Sequence, residues 1–280
     1  MLALLFGAAS GNACAQGDAK RGHYISQLGG CLACHTEDKK DAVPYAGGRD
    51  LKTTIFGTFY GPNITPDPQA GIGRWTEADF IRAMRYGERP DGVNYLPAFP
   101  YPTFTRISHG DLRDLWAYLR TLAPSSRANQ PHDFRFPFGW RFLVPIWKWL
   151  FFTPDAAVNI PAGATPSVAR GAYLVQALGH CGECHTPRNF LGGSKRDRFL
   201  AGGRGPDGKR VPNLTPTRLK KWDDGELKEF LQTGLTPDGD VAAKLMGEVI
   251  HNTISRLTAE DLAALIAYLR SLPPLPEEPA

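Results

Sequence analysis

Apolar residues recur at helical spacing in two distant stretches of the chain, and each stretch leads into a pair of cysteines. Apolar positions three and four residues apart form one face of an α-helix, whereas alternation typical of strands is scarce in this sequence. The pattern therefore predicts an all-α fold. The positions are Tyr24, Ile25 and Leu28 in the first stretch, and Tyr173, Leu174, Ala177 and Leu178 in the second.

Start and stop signals predict two further helices after each cysteine pair. A middle helix opens at a capping box, Thr76 with Asp79, or at the looser version that begins at Asp223. Gly87 and Gly234 supply the expected helix ends. The last helices open at Ser108 and Thr258 and end before Pro124 and Pro273.

The chain is an internal duplication with an offset of about 150 residues. Segments 31–36, 62–66 and 117–120 each find a counterpart in the second half, at 181–186, 212–216 and 267–270. Long-range register of this kind indicates tandem domains. We predict one domain over 16–122, a second over 166–280, and a connecting segment over 123–165.

Residues 1–15 have the features of a secretory signal, with an apolar stretch and a small-residue ending before Gln16, although a basic start is missing. Cys14 would be removed with the signal. The alternative is a lipid anchor at Cys14, which would require Leu three residues earlier, where the chain has Gly11. No other apolar run is long enough to span a membrane. The balance of 32 basic and 28 acidic residues is too even to indicate nucleic-acid binding.

The sequence Cys-x-x-Cys-His occurs once in each half, at Cys31 to His35 and at Cys181 to His185. Two thiols at this spacing reach the two vinyl groups along one haem edge, while the adjacent imidazole reaches the iron. A single copy also fits a redox disulfide or half of a zinc site. Two copies in a duplicated helical frame favour two covalently bound haem c groups.

These motifs, the paired Pro-Asn-(Ile/Leu)-Thr-Pro segments and the closing Ala-Tyr-Leu-Arg helices make the chain resemble tandem class I cytochromes c, such as the dihaem subunits of periplasmic dehydrogenases. The resemblance covers almost all of the chain beyond the signal. It implies an exported, periplasmic electron-transfer protein rather than an enzyme. Its donor would be a dehydrogenase, and its acceptor a small cytochrome or a terminal oxidase.

In that family a Met before the last helix usually supplies the second axial ligand of the iron. Beyond the signal the chain has only Met84 and Met246, and Met246 lies in the expected loop of the second half. In the first half, alignment on the Asp-Gly pairs puts Phe99 at the corresponding position. We expect His35, His185 and Met246 to be axial ligands. Haem 1 would be five-coordinate, water-bound or ligated by another residue.

Several side chains are candidates for the missing ligand of haem 1. Met84 is the best substitute, although its place on the apolar face of the middle helix favours core packing. Tyr95 and Tyr101 flank Phe99, and Tyr is a known haem ligand. His109 and His132 are weaker candidates, and His180 is expected close to haem 2.

Four polar residues are expected around the haems. Arg49 and Arg204 each follow an Ala-Gly-Gly stretch and either anchor propionates or remain solvated. Asn63 and Asn213 occupy matching loops, where a structural role is favoured over a chemical one.

The connecting segment contains a concentrated aromatic block from Phe134 to Phe152. Its simplest role is to pack the two domains against each other, since such a block would otherwise be an exposed apolar patch. The alternative is docking on a membrane surface or a partner dehydrogenase through Trp147, Trp149 and Phe152.

Electron relay is the function that these features favour. The alternative is an enzyme that reduces a small molecule such as peroxide at an open haem 1. Peroxide chemistry needs a distal acid or base, and the neighbours of Phe99 are mainly apolar: Leu96, Pro97, Ala98 and Pro100. Haem-based gas sensing would need a signalling domain, which the sequence does not indicate.

Overall fold

The structure is a computed structural model that describes residues 17–242 and 244–277. The predicted signal, 1–15, and Cys14 lie outside the described residues. Buried apolar side chains of both halves form one continuous core cluster.

Helices dominate both halves, and they begin and end at the predicted residues. The Thr76 hydroxyl accepts from the Asp79 amide, and the Asp79 carboxylate accepts from the Thr76 amide. Gly87 ends this helix in the left-handed conformation. Asp223, Glu226 and Gly234 repeat the arrangement.

The first half contains α1 Ala19–Leu28, α2 Cys31–His35, α3 Glu77–Tyr86, α4 Tyr101–Phe104 and α5 His109–Leu119. Then follow α6 Val144–Phe151, α7 Pro166–Tyr173, α8 Gly182–His185, α9 Pro216–Leu219, α10 Asp224–Thr233, α11 Lys244–Asn252 and α12 Ala259–Ser271.

Two small antiparallel sheets accompany the helices, so the fold is helix-rich and not purely α. In the first half the order is β1-β2-β3, with Leu51 opposite Phe59 and Gly57 opposite Phe134. In the second half β4 pairs with β5. The all-α expectation missed these strands because each is only two to four residues long. The strands are β1 Asp50–Thr53, β2 Gly57–Tyr60, β3 Asp133–Phe134, β4 Gly203–Arg204 and β5 Arg210–Val211.

The first and last helices of each half cross at a glycine. A Cβ added to Gly22 of α1 would lie 1.9 Å from the Asp114 carbonyl oxygen of α5. A Cβ on Gly171 of α7 would lie 1.9 Å from the Ala264 carbonyl oxygen of α12. Both crossings therefore depend on a residue without a side chain.

The second half contains one residue more than the first between its cysteines and the Arg that recurs in both halves: Arg21 precedes Cys31 by ten residues, whereas Arg170 precedes Cys181 by eleven. Helix α7 continues into a π-helix over Leu174–Leu178 at this point. A π turn accommodates an inserted residue without breaking the helix. The extra residue is thus absorbed before the cysteine motif, which keeps its place in the fold.

The two halves contact each other through two equivalent sets of tyrosine hydrogen bonds, which are related by a pseudo-two-fold axis. The Tyr24 hydroxyl donates to Asp261 of the other half at 2.8 Å and accepts from the Thr258 amide at 3.1 Å. Tyr173 makes the corresponding bonds, donating to Asp111 and accepting from the Ser108 amide. Each carboxylate belongs to the first turn of a last helix, so the helix ends are tied across the interface.

The connecting segment first follows the first domain and then turns outward. Asn129 contacts the Asn63 amide at 2.6 Å, and β3 extends the sheet of that domain. Beyond it, Phe136, Phe142 and Trp149 are 81%, 65% and 83% exposed. The expectation that the aromatic block packs the domains together is wrong for these side chains, because they point away from both cores.

Candidate functional site

The four cysteines of the paired motifs are free thiols. Cys31 and Cys34 lie on the short helix α2, while Cys181 and Cys184 border α8. Burial raises the pKa of Cys31 and of Cys181 to about 12, so both thiols are protonated at neutral pH. Cys34 and Cys184 reach the surface. Each motif therefore offers two reduced sulfurs one helical turn apart, a spacing that fits thioether attachment of a haem.

The histidine of each motif is held by the carbonyl of a proline. The Nδ1 atom of His35 lies 2.7 Å from the Pro62 oxygen, and Nδ1 of His185 lies 2.8 Å from the Pro212 oxygen. A carbonyl only accepts, so Nδ1 carries the proton and Nε2 keeps its lone pair. Burial lowers the pKa of both imidazoles, although these hydrogen bonds oppose the effect. Both rings are suited to bind iron as neutral ligands.

Asn63 and Asn213 fix the loops that carry those prolines. Asn63 is 2% exposed; its Oδ1 accepts from the Thr65 amide at 2.9 Å, and its Nδ2 donates to the Ser125 carbonyl at 2.8 Å. Asn213 repeats the pattern with Thr215 and the Leu275 carbonyl. Each Oδ1 also accepts from a threonine hydroxyl, that of Thr65 or Thr215, so both side chains anchor the local loop. They position the imidazoles indirectly, through the carbonyl of the preceding proline.

Phe99 and Met246 occupy equivalent backbone positions. The Tyr95 amide donates to the Gly87 carbonyl at 2.8 Å, and the Ala242 amide donates to the Gly234 carbonyl at 2.8 Å. Phe99 and Met246 each follow four residues later. Met246 lies in the first turn of α11 and not in the expected loop. Its assignment as an iron ligand remains a prediction, and Phe99 has no atom that binds iron.

The other candidates for the first iron have packing or structural contacts. Met84 is 6% exposed within the core of α3, as expected for a packing residue. Tyr95 stacks edge-on against Phe99, with ring centroids 5.3 Å apart. Tyr101 is fully buried, and its hydroxyl lacks a hydrogen-bond partner among the described residues. His132 accepts from the Tyr60 amide at 3.1 Å, beside the first sheet.

The two arginines differ in their surroundings. Arg49 pairs with Glu248 of the other half at 2.8 Å and with Asp38 at 3.3 Å. Arg204 lies on β4 and donates to the Gly208 carbonyl at 3.2 Å. The Arg49 pair joins the first domain to α11, the helix of Met246. Propionate binding by either residue stays a prediction.

The cysteine motifs of the two halves lie next to each other, and His180 joins them. A Cβ on Gly30 would lie 3.8 Å from Nε2 of His180, the residue that corresponds to Gly30 in the second half. His180 has a φ of +40° and packs against Phe104 at 5.5 Å. Burial lowers its pKa, opposed by Glu183 and by a hydrogen bond to the Gly29 carbonyl. A non-glycine residue in this conformation is strained, and the contact across the interface accounts for it.

Sequence reasoning placed His180 near haem 2 but missed its contact with the first motif. It also missed the carbonyl oxygens of Pro62 and Pro212, although the repeated Pro-Asn segment was a visible signal. Although Cys34 is accessible to solvent as a residue, desolvation of its thiol is the main cause of its raised pKa; Arg49 lowers that pKa, while Cys184 and Glu248 of the second half raise it further.

Two stretches of the chain match a known protein family. The profile of the Cytochrome c family matches residues 19–123 and again residues 168–273. A "Diheme cytochrome c-type" protein of Cereibacter sphaeroides is 45% identical over 260 residues, which are 92% of this chain and 86% of that protein.

Dehydrogenase subunits are also similar. The "Alcohol dehydrogenase (quinone), cytochrome c subunit" of Gluconobacter oxydans is 38% identical over 99% of this chain, and the "Gluconate 2-dehydrogenase cytochrome c subunit" of Pantoea cypripedii is 37% identical over 97%. The chain spans 59% and 64% of those two relatives. In the described part of the chain, no helix has the length and apolar character needed to cross a bilayer.

Proposed function

The chain belongs to the cytochrome c family and contains two of its domains, and from this premise we propose that it relays electrons in the periplasm, from a dehydrogenase to a small cytochrome or a terminal oxidase. Each domain binds one haem c covalently, through Cys31 and Cys34 in the first and Cys181 and Cys184 in the second. When bound, each haem supplies one iron that alternates between the ferric and ferrous states.

The observation that carries the proposal is the contact between the two attachment motifs. Gly30 and His180 meet across the pseudo-two-fold interface, and the residues that follow them are Cys31 and Cys181. The hydrogen bonds that the two interface tyrosines donate to Asp261 and Asp111 hold this arrangement. A fixed, short separation between two redox centres is what electron relay needs, because no substrate has to enter and no group has to move.

The residues of the second domain suit a saturated iron. His185 is held in the tautomer that exposes Nε2, and His185 and Met246 would be the two residues that bind the iron of the second haem. A His and Met pair raises the haem potential and leaves no open position for a substrate. In the first domain His35 is the assigned axial ligand. Met84, in the core of α3, is retained there as a weak alternative to an open position.

The names of the relatives support a dehydrogenase as the donor. Cytochrome subunits of alcohol, gluconate and fructose dehydrogenases are among the proteins that this chain resembles. The peroxide-reducing alternative is not favoured, because Phe99 is surrounded by the rings of Tyr95, Tyr101 and Phe104.

Pulse radiolysis of the holoprotein tests the relay directly. One electron is delivered to the fully oxidised protein, and the absorbance of each haem is followed. We expect a first-order redistribution between the haems whose rate is independent of protein concentration. A redistribution rate proportional to concentration would contradict the relay. Peroxide turnover at enzyme-like rates would do so as well.

A further inference from the structure

Helix α6 has its polar and apolar faces reversed relative to an ordinary surface helix. Lys148 lies on the inner face, where its side chain is only 12% exposed. Its Nζ is 2.6 Å from the Asn94 Oδ1, 3.4 Å from the Glu88 carboxylate and 5.4 Å from the centre of the Tyr101 ring. A helix at a water interface normally turns such a group outward.

The outer face of α6 is apolar. Ile146, Trp149 and Leu150 are 53%, 83% and 49% exposed, and their spacing of three and four residues aligns them along one side of the helix. Neither domain covers them. The helix is therefore built for an apolar environment on the side that faces away from the protein.

Neighbouring segments extend this surface on both sides. Phe136 and Phe142 are 81% and 65% exposed and are joined through the ring of Trp140, at 5.1 and 5.6 Å. On the other side, Trp147 donates to the Leu191 carbonyl at 3.0 Å, which brings Phe190, 94% exposed, beside α6. We call the resulting surface the outward apolar face; its members are Phe136, Phe142, Ile146, Trp149, Leu150 and Phe190.

Positive charge borders the outward apolar face. Residues 134–154 include no acidic residue. Arg135 donates to the Thr54 carbonyl at 2.6 Å and Arg141 to the Asn94 carbonyl at 3.2 Å, and within the described residues neither guanidinium has a carboxylate partner. Both cations remain available to an anionic surface.

We propose that the outward apolar face docks this protein on an anionic lipid surface, with α6 lying in the plane of the interface. Trp and Phe side chains beside Arg are the residue types that settle at the level of lipid headgroups. Side chains exposed by four fifths or more protrude singly from the protein. Lipid surrounds such side chains without a matching pocket, whereas a protein partner would need one for each.

Docking in this way orients the second domain. The loop that carries Phe190 follows directly after His185, and Arg188 ties it to the cysteine motif through Glu183 and the Gly192 carbonyl. The face thus brings the attachment site of haem 2 close to the membrane surface. This inference is independent of the identity of the electron donor.

Flotation of the holoprotein with vesicles tests the proposal. Vesicles of phosphatidylcholine alone are compared with vesicles that also contain phosphatidylglycerol, and bound protein is measured by haem absorbance. We expect binding that is stronger with the anionic lipid and falls as salt is added. The triple variant Phe136→Ser, Trp149→Ser, Phe190→Ser should lower the partition coefficient about tenfold or more, because three apolar side chains are lost from the interface.

A matched triple variant provides the control: Val43→Ser, Ile160→Ser and Val241→Ser remove side chains that are 49%, 49% and 67% exposed outside the face. It should bind vesicles as the unaltered protein does, with both triples retaining the native haem and circular dichroism spectra. Arg135→Gln with Arg141→Gln should weaken binding to the anionic vesicles only.

Three results would overturn the proposal. The first is an unaltered holoprotein that does not float with either vesicle. The second is a control triple that loses as much binding as the face triple. The third is a face triple that floats normally but fails to accept electrons from a dehydrogenase; the face would then be a protein interface. None of these results would affect the relay between the haems.

Discussion

The two domains hold their histidines in the same way and differ at the aligned positions of Phe99 and Met246. In both, the Nδ1 proton is donated to a proline carbonyl, and a buried Asn anchors that proline. At the aligned positions that follow the Asp-Gly pairs, the first domain has Phe99 within a cluster of aromatic rings, while the second has Met246 on a helix. The two domains therefore share the histidine framework and differ at the position for which we propose a second iron ligand in the second domain.

The divergence is possible because the two features belong to different parts of the fold. The proline loops are tied to buried backbone groups by several hydrogen bonds, so a change there would unsettle the whole domain. The segment with Phe99 or Met246 follows an Asp-Gly turn and begins at one backbone bond to the Gly87 or Gly234 carbonyl, away from the proline loops.

The largest effect is expected from removing the sulfur of the second domain. Met246→Ala should lower the potential of one haem by about 0.1 V or more and open its iron to carbon monoxide, since the axial ligand strongly tunes haem potential. Before the change, carbon monoxide should perturb at most the first haem. Potentiometric titration measures the potential. Loss of the near-infrared sulfur-to-iron band reports the missing ligand, and the absorbance change on adding carbon monoxide reports the open iron.

Met84→Leu is the matched control for Met246→Ala, because it removes the other sulfur while keeping an apolar side chain in the core of α3. It should leave both potentials unchanged. If Met84→Leu and not Met246→Ala altered the spectrum, the contrast between the domains would be reversed: the first iron would have the sulfur ligand.

The helix crossings provide the next largest effect. Gly22→Ala and Gly171→Ala should each destabilise the protein by about 1–3 kcal/mol, because the new Cβ would lie 1.9 Å from a carbonyl oxygen and the helices must move apart. Gly110→Ala is the control: Gly110 lies in the first turn of α5, and its added Cβ would come no closer than 3.7 Å to another residue. Urea unfolding measures all three.

Equal losses at the two glycines would show that the domains contribute alike to stability. A loss at Gly171 alone would show that the first domain tolerates a wider crossing. No loss at either position would contradict the close packing of the first and last helices.

The hydrogen bonds across the interface should have smaller and equal effects. Tyr24→Phe and Tyr173→Phe each remove a hydroxyl that donates to a carboxylate of the other half, a bond worth about 1–2 kcal/mol. Thermal unfolding should show similar losses for the two variants. Tyr95→Phe, whose hydroxyl has no partner in the described part of the chain, should show almost none. Unequal losses would mean that the pseudo-two-fold symmetry is only approximate in energy.

Local signals made much of this fold predictable. Capping boxes, terminating glycines and the cysteine motifs act within a few residues, and the helices begin and end where those signals occur. The strands were missed because β3 consists of Asp133 and Phe134 and exists only by pairing with β2, more than 70 residues earlier. Pairing over such distances leaves no periodic pattern in the sequence.

The sequence predicts a set of candidate ligands but not their arrangement. Cys31, His35 and their counterparts follow from spacing alone, whereas the proline carbonyls and the contact between Gly30 and His180 depend on how distant loops fold together. The aromatic block was misjudged for a related reason. Apolar residues predict burial, and only the structure shows that Lys148 turns inward and Trp149 outward.

The smallest expected effect concerns acid stability and the carboxylate of Asp261. Burial alone would raise its pKa, but the bonds from Arg170 and Tyr24 outweigh burial and hold the pKa below its usual value. A depressed pKa contributes stability that is complete above about pH 4, the ordinary Asp value, and is lost as pH falls through the lowered pKa.

Asp261→Asn should therefore be less stable at pH 7, yet lose less additional stability between pH 5 and pH 2 than the unaltered protein, as measured by urea unfolding at each pH. Asp238→Asn, at an exposed turn, should follow the unaltered protein throughout. If Asp261→Asn lost stability between pH 5 and pH 2 as steeply as the unaltered protein, the acid-sensitive contact would lie elsewhere. The Asp261 carboxylate would then not be the group through which the second domain responds to acid.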